Sequence, residues 1–89
     1  MTGNDDRILE LLSASGVALN KKALEVNFEL EGTGISYSTI KRRLPLLESV
    51  GLVDEVRETG SYYRITDKGE AYLAGELDAS ELELNEESL

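Results

Sequence analysis

The chain has 89 residues, enough for one small domain but too few for a doubly wound nucleotide-binding fold or a barrel enzyme. It contains no cysteine and no histidine, which excludes zinc sites built on those residues, thiol nucleophiles, imidazole bases and disulfides. Eighteen acidic and nine basic residues give a net charge of −9. No run approaches about 18 apolar residues and no basic-then-apolar leader opens the chain, so we expect a cytoplasmic protein without a membrane span.

The acidic residues are unevenly distributed. Six of the eighteen lie between Glu76 and Leu89, where there is no base, so the first 75 residues carry twelve acids and nine bases. Two explanations remain open: an acidic surface that stays hydrated in concentrated salt, as in halophilic proteins, or an acidic tail on an ordinary protein. The body is acidic too, which favours adaptation to high salt. We expect a folded domain over residues 1–77 and a flexible acidic tail over residues 78–89.

Hydrophobic periodicity predicts three helices in the first half of the chain. The first has Asn4 as its N-cap, with Asp5 and Asp6 in the first turn, where carboxylates favour the helix dipole. The second begins after Asn20, again a good N-cap, and is followed by a glycine-containing turn over residues 31–34.

The third helix begins at Ser36 and has one narrow apolar stripe. The stripe consists of Ile40, Leu44 and Leu47. Pro45 lies inside this helix and has no N–H to donate to the preceding turn, so a kink or a loosened turn is expected there.

The second half predicts a hairpin and a last helix. Residues 52–57 and 62–66 have strand character and are joined by a short glycine-containing connection over residues 58–61, which indicates an antiparallel pair. Tyr62 and Tyr63 point to opposite faces of their strand, so one of them is expected in the core. Thr66 or Asp67 caps the last helix, whose apolar residues are Tyr72, Leu73 and Leu77.

The order is therefore helix, helix, helix, hairpin, helix. This order predicts an α+β, mostly helical fold, a winged helix-turn-helix, in which helices two and three form the helix-turn-helix unit and the hairpin forms the wing.

The third helix carries the strongest chemical signal. Opposite its apolar stripe it presents Ser38 and Arg42, with Thr39 and Lys41 at the flanks and Arg43 nearer the core boundary. Residues 36–47 contain three bases and no acid, in a chain of net charge −9. Arginine pairs in bidentate fashion with guanine, and serine or threonine bonds to bases or phosphates, so this face suits the major groove of DNA.

The wing offers a second candidate contact with DNA. Arg57 and Arg64 flank a Thr-Gly-Ser tip whose hydroxyls and amides suit a phosphate backbone. The alternative for Arg57 is a solvated surface pair with Glu55 or Glu58. Two interpretations remain open for the outward tyrosine of this strand: it contacts DNA or a partner subunit, or it occupies an ordinary half-buried position.

Two runs of sequence resemble winged-helix repressors of the MarR and ArsR kind. They are residues 36–44 (SYSTIKRRL) followed by Leu47-Glu48 and Gly51-Leu52-Val53, and residues 63–69 (YRITDKG) followed by Tyr72-Leu73. These two runs and the acidic body make residues 4–77 similar to small haloarchaeal winged-helix regulators related to the repressor of phage phi-H. It departs from the pattern at Pro45, in a longer turn over residues 31–35, and in its strongly negative charge.

The resemblance implies a sequence-specific transcriptional regulator, a repressor, that binds double-stranded DNA. By position it implies the following contacts: Ser36, Ser38, Thr39, Lys41, Arg42 and Arg43 from the third helix, and Arg57, Thr59, Gly60 and Ser61 from the wing tip. The alternative is a winged helix used for protein–protein contact without DNA binding, which Leu46 supports as an apolar residue on the outward side of the third helix.

We expect no enzymatic activity, no cofactor and no metal site. Asp54 and Glu55 are adjacent on a strand and point to opposite faces, and the glycines near residue 33 lack the Lys-Ser/Thr of a phosphate loop.

We expect a homodimer, because a body of this size is marginally stable alone and paired half-sites raise affinity for DNA. The candidate surfaces are those of Leu9 on the first helix and of Leu73 and Leu77 on the last.

Overall fold

The computed structural model of the protein describes residues 3–56 and 61–77. The elements, in chain order, are α1 (Gly3–Ser15), β1 (Leu19–Asn20), α2 (Lys21–Glu31), α3 (Tyr37–Ser49), β2 (Val53–Val56), β3 (Tyr62–Ile65) and α4 (Asp67–Leu73). The predicted order of helices and hairpin is confirmed, and β1 is added to it. The predicted wing-tip contacts at Arg57, Thr59 and Gly60, and the predicted tail, lie outside the described residues.

The three strands form an antiparallel sheet in the order β1-β3-β2. Strand β2 pairs with β3, with Val53 opposite Ile65 and Val56 opposite Tyr62. Strand β1 pairs along the other edge of β3, where Asn20 lies opposite Tyr62. The two-residue strand β1 is too short to produce a period-two pattern, which is why the sequence did not predict it.

The core lies between the helices and one face of the sheet. Its fully buried members come from all three N-terminal helices and from the start of the hairpin: Ile8, Leu9, Leu12, Leu24, Phe28, Ile40, Leu44, Leu47, Leu52 and Val53. Helix α1 contacts α3, α4 and β3, so it buries a broad face rather than one stripe. For this reason Leu9 is fully buried, and its predicted place on a dimer surface is wrong.

Side-chain caps determine where three of the helices begin. Asn20 Oδ1 accepts a hydrogen bond from the Ala23 amide at 2.7 Å, which confirms the predicted cap of α2. Thr66 Oγ1 accepts from the Gly69 amide at 3.0 Å, so Thr66 rather than Asp67 caps α4. The prediction for α1 is wrong, because Asn4 lies within a helix that already includes Gly3.

Helix α3 continues through Pro45 and ends at Ser49. Gly51 then adopts a left-handed conformation with φ of 81°, which a residue with a Cβ rarely tolerates. The Leu52 amide donates to the Leu47 carbonyl at 3.0 Å, so the chain turns from α3 directly into the hairpin.

The start of α4 lies very close to the sheet. Gly69 is buried, and a Cβ built on it would lie inside 3.0 Å of the Leu52 carbonyl oxygen and of the Ile65 side chain. Because the Leu52 carbonyl also accepts the Thr66 amide at 3.1 Å, the backbone there has no freedom to move aside. Gly69 is therefore the residue that permits α4 to pack on the hairpin.

We expect Gly69→Ala to lower the free energy of unfolding by about 1–3 kcal/mol or more, since overpacking outweighs the helix propensity that alanine gains. Chemical denaturation measures this loss. Gly3→Ala is the matched control, because a Cβ at Gly3 in α1 meets nothing within 4 Å. Equal stability of the two variants would contradict the close approach at Gly69.

Candidate nucleic-acid interface

The outward face of α3 is polar and accessible, as predicted. Ser36, Ser38, Lys41 and Arg42 are exposed and Thr39 is half-buried. On the opposite side, Ile40, Leu44 and Leu47 are fully buried. The helix is thus held by its apolar stripe while Lys41 and Arg42 face outward, and its one acid, Glu48, is half-buried near the C-terminal end.

Arg43 departs from the predicted set. It is only 7% exposed, and its guanidinium holds the carboxylate of Asp5, which is 0% exposed. Nε donates to Oδ1 at 2.8 Å and Nη2 donates to Oδ2 at 2.7 Å, a bidentate geometry. One residue along a helix turns the side chain by about 100°, so Arg43 points inward while Arg42 points outward. The predicted contact between Arg43 and DNA is therefore wrong.

The buried pair joins the first turn of α1 to the middle of α3. Asp5 was predicted to favour the dipole of its own helix, but its carboxylate is committed to Arg43 across the core. Among the described residues, no buried side-chain nitrogen or oxygen lacks a hydrogen-bond partner. A paired and fully hydrogen-bonded arrangement is the condition under which a protein tolerates buried charge.

Ser36 is committed to the start of α3. Its Oγ accepts from the Thr39 amide at 3.2 Å and lies 3.1 Å from the Thr39 hydroxyl. One of these two hydroxyls donates to the other, so one hydroxyl proton remains available at the helix N-terminus, while Ser38 lies on the open face. The first turn of α3 contains no acidic residue.

At the base of the wing, strand β3 has one exposed and one buried tyrosine. Tyr63 is in the core and Tyr62 is 37% exposed, which confirms that the two alternate between faces. Ser61, the described member of the predicted wing tip, is exposed. Arg64 and Asp54 lie opposite one another on β3 and β2, with Nη2 and Oδ2 at 4.0 Å, and both side chains are mostly exposed.

The structure brings together a second basic group that the sequence analysis missed. A depression of about 140 Å³ lies between the start of α2, the start of α3 and the start of β3. It is lined by Asn20, Lys21, Lys22, Tyr37 and Ser61. The signal in the sequence was the pair of lysines directly after the N-cap of α2, where the helix dipole disfavours cations.

Neither a metal site nor a membrane span is found in the described part of the chain. Residues 3–56 and 61–77 contain no group of three or more acidic side chains placed to hold a metal ion. No helix within those ranges combines the length and apolar character needed to cross a bilayer.

We expect the adjacent arginines of α3 to differ sharply in their effect on stability. Arg43→Ala removes the bidentate guanidinium from the fully buried Asp5 carboxylate, and lowers the free energy of unfolding by about 3–5 kcal/mol. Arg42→Ala is the matched control and changes it by no more than about 0.5 kcal/mol. Denaturant unfolding measures both.

Replacing both partners by apolar residues, Asp5→Leu with Arg43→Met, should recover most of that loss, since neither charge is then left alone. Similar losses from Arg42→Ala and Arg43→Ala would contradict the inward position of Arg43.

Comparisons with known proteins identify the family to which this fold belongs. Residues 1–85 match the model of a family described as winged helix-turn-helix phage repressor. The chain is 40% identical over 86 residues to the repressor protein of Halobacterium phage phiH, and the match covers 93% of this chain and 90% of that relative. No solved structure matches. The chain belongs to the winged helix-turn-helix phage repressor family.

Proposed function

We propose that this protein is a DNA-binding transcriptional repressor that reads duplex sequence with the outward face of α3. The observation that carries the proposal is the outward face of α3, on which Lys41 and Arg42 are exposed and no acid precedes Glu48, in a protein of net charge −9. A surface of one sign on a body of the other sign orients the molecule towards a polyanion. Membership of the phage repressor family supports the same role and favours a regulator over an enzyme.

Within this face, we assign base reading to Arg42 and Ser38. Arg42 is exposed on α3, and a guanidinium there suits the O6 and N7 acceptors of guanine in the major groove. Lys41 and Thr39, at the flanks, suit phosphate oxygens. Ser36 contributes to this surface as the N-cap of α3. The first amides of the helix lie near the surface there, and they attract phosphate although they carry no net charge.

The alternative, a protein–protein module, loses its support. That reading depended on Leu46 as an outward apolar residue, and Leu46 is half-buried. The exposed residues of α3 are instead polar or charged, apart from Tyr37 and Pro45. This composition suits a nucleic acid better than an apolar partner surface.

We expect Arg42→Ala to weaken binding to the preferred duplex by about 1–3 kcal/mol and to relax the preference at one base pair. The preferred duplex is first selected from a random library in high salt, and binding is then measured by fluorescence anisotropy. Arg7→Ala, which removes the same charge from an exposed position on α1, is the control. An equal loss of affinity in Arg42→Ala and Arg7→Ala would refute base reading by Arg42.

We further propose that binding is adapted to concentrated salt. A protein with three phosphate contacts ordinarily loses about 2.7 powers of ten in affinity per tenfold rise in salt. The acidic body repels DNA in dilute buffer, and salt screens that repulsion, so we expect the affinity to change little or to rise up to molar salt. Titrating the selected duplex across this range measures the slope, and a steep fall would contradict the proposal.

We also propose that the protein acts as a homodimer on paired half-sites, as the symmetry of many repressor operators requires. Leu9 is excluded from the interface by its burial, and Leu73 and Leu77 are partly buried against the core. Sedimentation of the complex on the selected duplex should give two protomers per DNA. If the selected duplex lacks two-fold symmetry and binds one protomer, the dimer is refuted.

A further inference from the structure

We propose that Asp5 and Arg43 are positioning residues for base reading. Their buried ion pair fixes the rotation of α3 about its own axis, and so determines where Arg42 meets the edge of a base. This inference rests on the proposed function, since it concerns the face of α3 that reads the duplex. It gives a role in sequence preference to two residues that DNA does not reach, because Asp5 is 0% and Arg43 is 7% exposed.

The first support is the place of Arg43 on the buried side of α3. The fully buried Leu44 and Leu47 lie within about 40° of Ile40 around the helix, whereas Arg43 lies about 60° from Ile40, on the side away from Leu44. Apolar burial is non-directional, so contacts at the centre of the buried side change little when the helix turns slightly. A contact at the edge of that side is displaced by the same turn. Arg43 is therefore placed where it resists rotation of α3.

The second support is the directional geometry of the pair. Nε of Arg43 donates to Oδ1 of Asp5 at 2.8 Å, and Nη2 donates to Oδ2 at 2.7 Å. Two parallel hydrogen bonds from a planar guanidinium fix its orientation as well as its distance. A rotation of α3 that separated the two groups would leave two buried charges apart, which is strongly unfavourable. The pair therefore excludes rotations that the apolar residues alone would permit.

The third support is that the carboxylate is itself held in place. Asp5 lies in the first turn of α1, and the next residue, Asp6, accepts a hydrogen bond from the Tyr72 hydroxyl of α4 at 2.8 Å. Helix α1 also contacts β3, and its residues Ile8 and Leu9 are fully buried. An ion pair positions one partner only when the other is fixed. Here α4 and the core fix Asp5, so Arg43 is the group that is positioned.

A small rotation of α3 is enough to change base reading. A rotation of about 20° moves a group that lies about 6 Å from the helix axis by about 2 Å. Hydrogen bonds weaken steeply over such a displacement, so a bidentate contact between Arg42 and guanine would be lost. The flexible side chain of Lys41 can still reach a phosphate oxygen. Loss of the ion pair should therefore reduce sequence preference more than general affinity for DNA.

The experiment uses the double variant Asp5→Leu with Arg43→Met on the full chain. It removes one acid and one base, so the net charge stays at −9 and long-range repulsion from DNA is unchanged. The matched control, Arg7→Gln with Glu10→Gln, removes one acid and one base from exposed positions on α1. Affinity is measured for the selected duplex and for a duplex changed at the base pair whose preference Arg42→Ala relaxes. The ratio of the two affinities measures discrimination.

For the double variant we expect this ratio to fall by at least about fivefold, the lower end of what a bidentate base contact contributes. A purely structural role would lower the folded fraction and with it both affinities equally, which leaves the ratio unchanged. The control should retain the wild-type ratio. When Arg42 is already alanine, the double variant should lower the ratio no further, because the pair acts through Arg42.

A second measurement detects the rotation without DNA. The chain contains no cysteine, so one introduced cysteine is its only thiol. On the two flanks of α3, Thr39 is half-buried and Lys41 is exposed, so Thr39→Cys should react more slowly with a thiol reagent than Lys41→Cys. Thr39 lies on the same side of the helix as Arg43. Without the ion pair that side is free to turn outward, and the two reaction rates should converge.

The proposal is overturned if the folded double variant keeps the wild-type ratio, if the ratio falls as far when Arg42 is already alanine, or if the two thiol reaction rates do not change. If the double variant does not fold, Asp5→Asn takes its place, because asparagine keeps the shape and one acceptor oxygen. Convergence of the thiol reaction rates in a protein that binds no duplex would refute the proposed function and leave the control of rotation by the pair standing.

Discussion

The ion pair between Asp5 and Arg43 determines which face of α3 is available to a ligand. An apolar stripe alone restricts the rotation of a helix only loosely, because leucine and isoleucine can repack at modest energetic cost. A buried carboxylate with two hydrogen bonds at 2.7 and 2.8 Å has one acceptable partner position. Once Arg43 occupies it, Arg42 must point outward. A buried pair of this kind is weak evidence of net stability, and we infer that its contribution is to select one rotation of α3 over its neighbours.

Most of the fold follows from local signals in the sequence. The N-caps at Asn20 and Ser36, and Thr66 as one of two candidates for the cap of α4, each depend on one or two residues, so the sequence predicts them directly. Strand β1 depends on pairing with a segment more than forty residues away, and nothing within its own two residues indicates it. The close approach at Gly69 is also a tertiary property, because the Cβ that it excludes would meet Leu52 and Ile65.

The candidate site was predicted less completely than the fold, for an electrostatic reason. A helical wheel places Arg43 near the boundary between core and surface, and only the position of Asp5 on another helix decides the direction in which the side chain turns. Lys21 and Lys22 were not singled out from the sequence, because their proximity to Tyr37 and Ser61 depends on the pairing of β1 with β3. In both cases the missing information was a partner distant in sequence.

The first turn of α1 also has a consequence for how the chain acquires its structure. Asp5 contacts Arg43, 38 residues away, and Asp6 accepts a hydrogen bond from the Tyr72 hydroxyl at 2.8 Å, 66 residues away. Two neighbouring carboxylates thus close loops that span most of the described chain. Closing such long loops costs conformational entropy before the native contacts form. This makes folding slower than in a helical bundle whose contacts are local. The nascent polypeptide can complete its core only after α4 has been synthesised, so the body is expected to form as one cooperative unit.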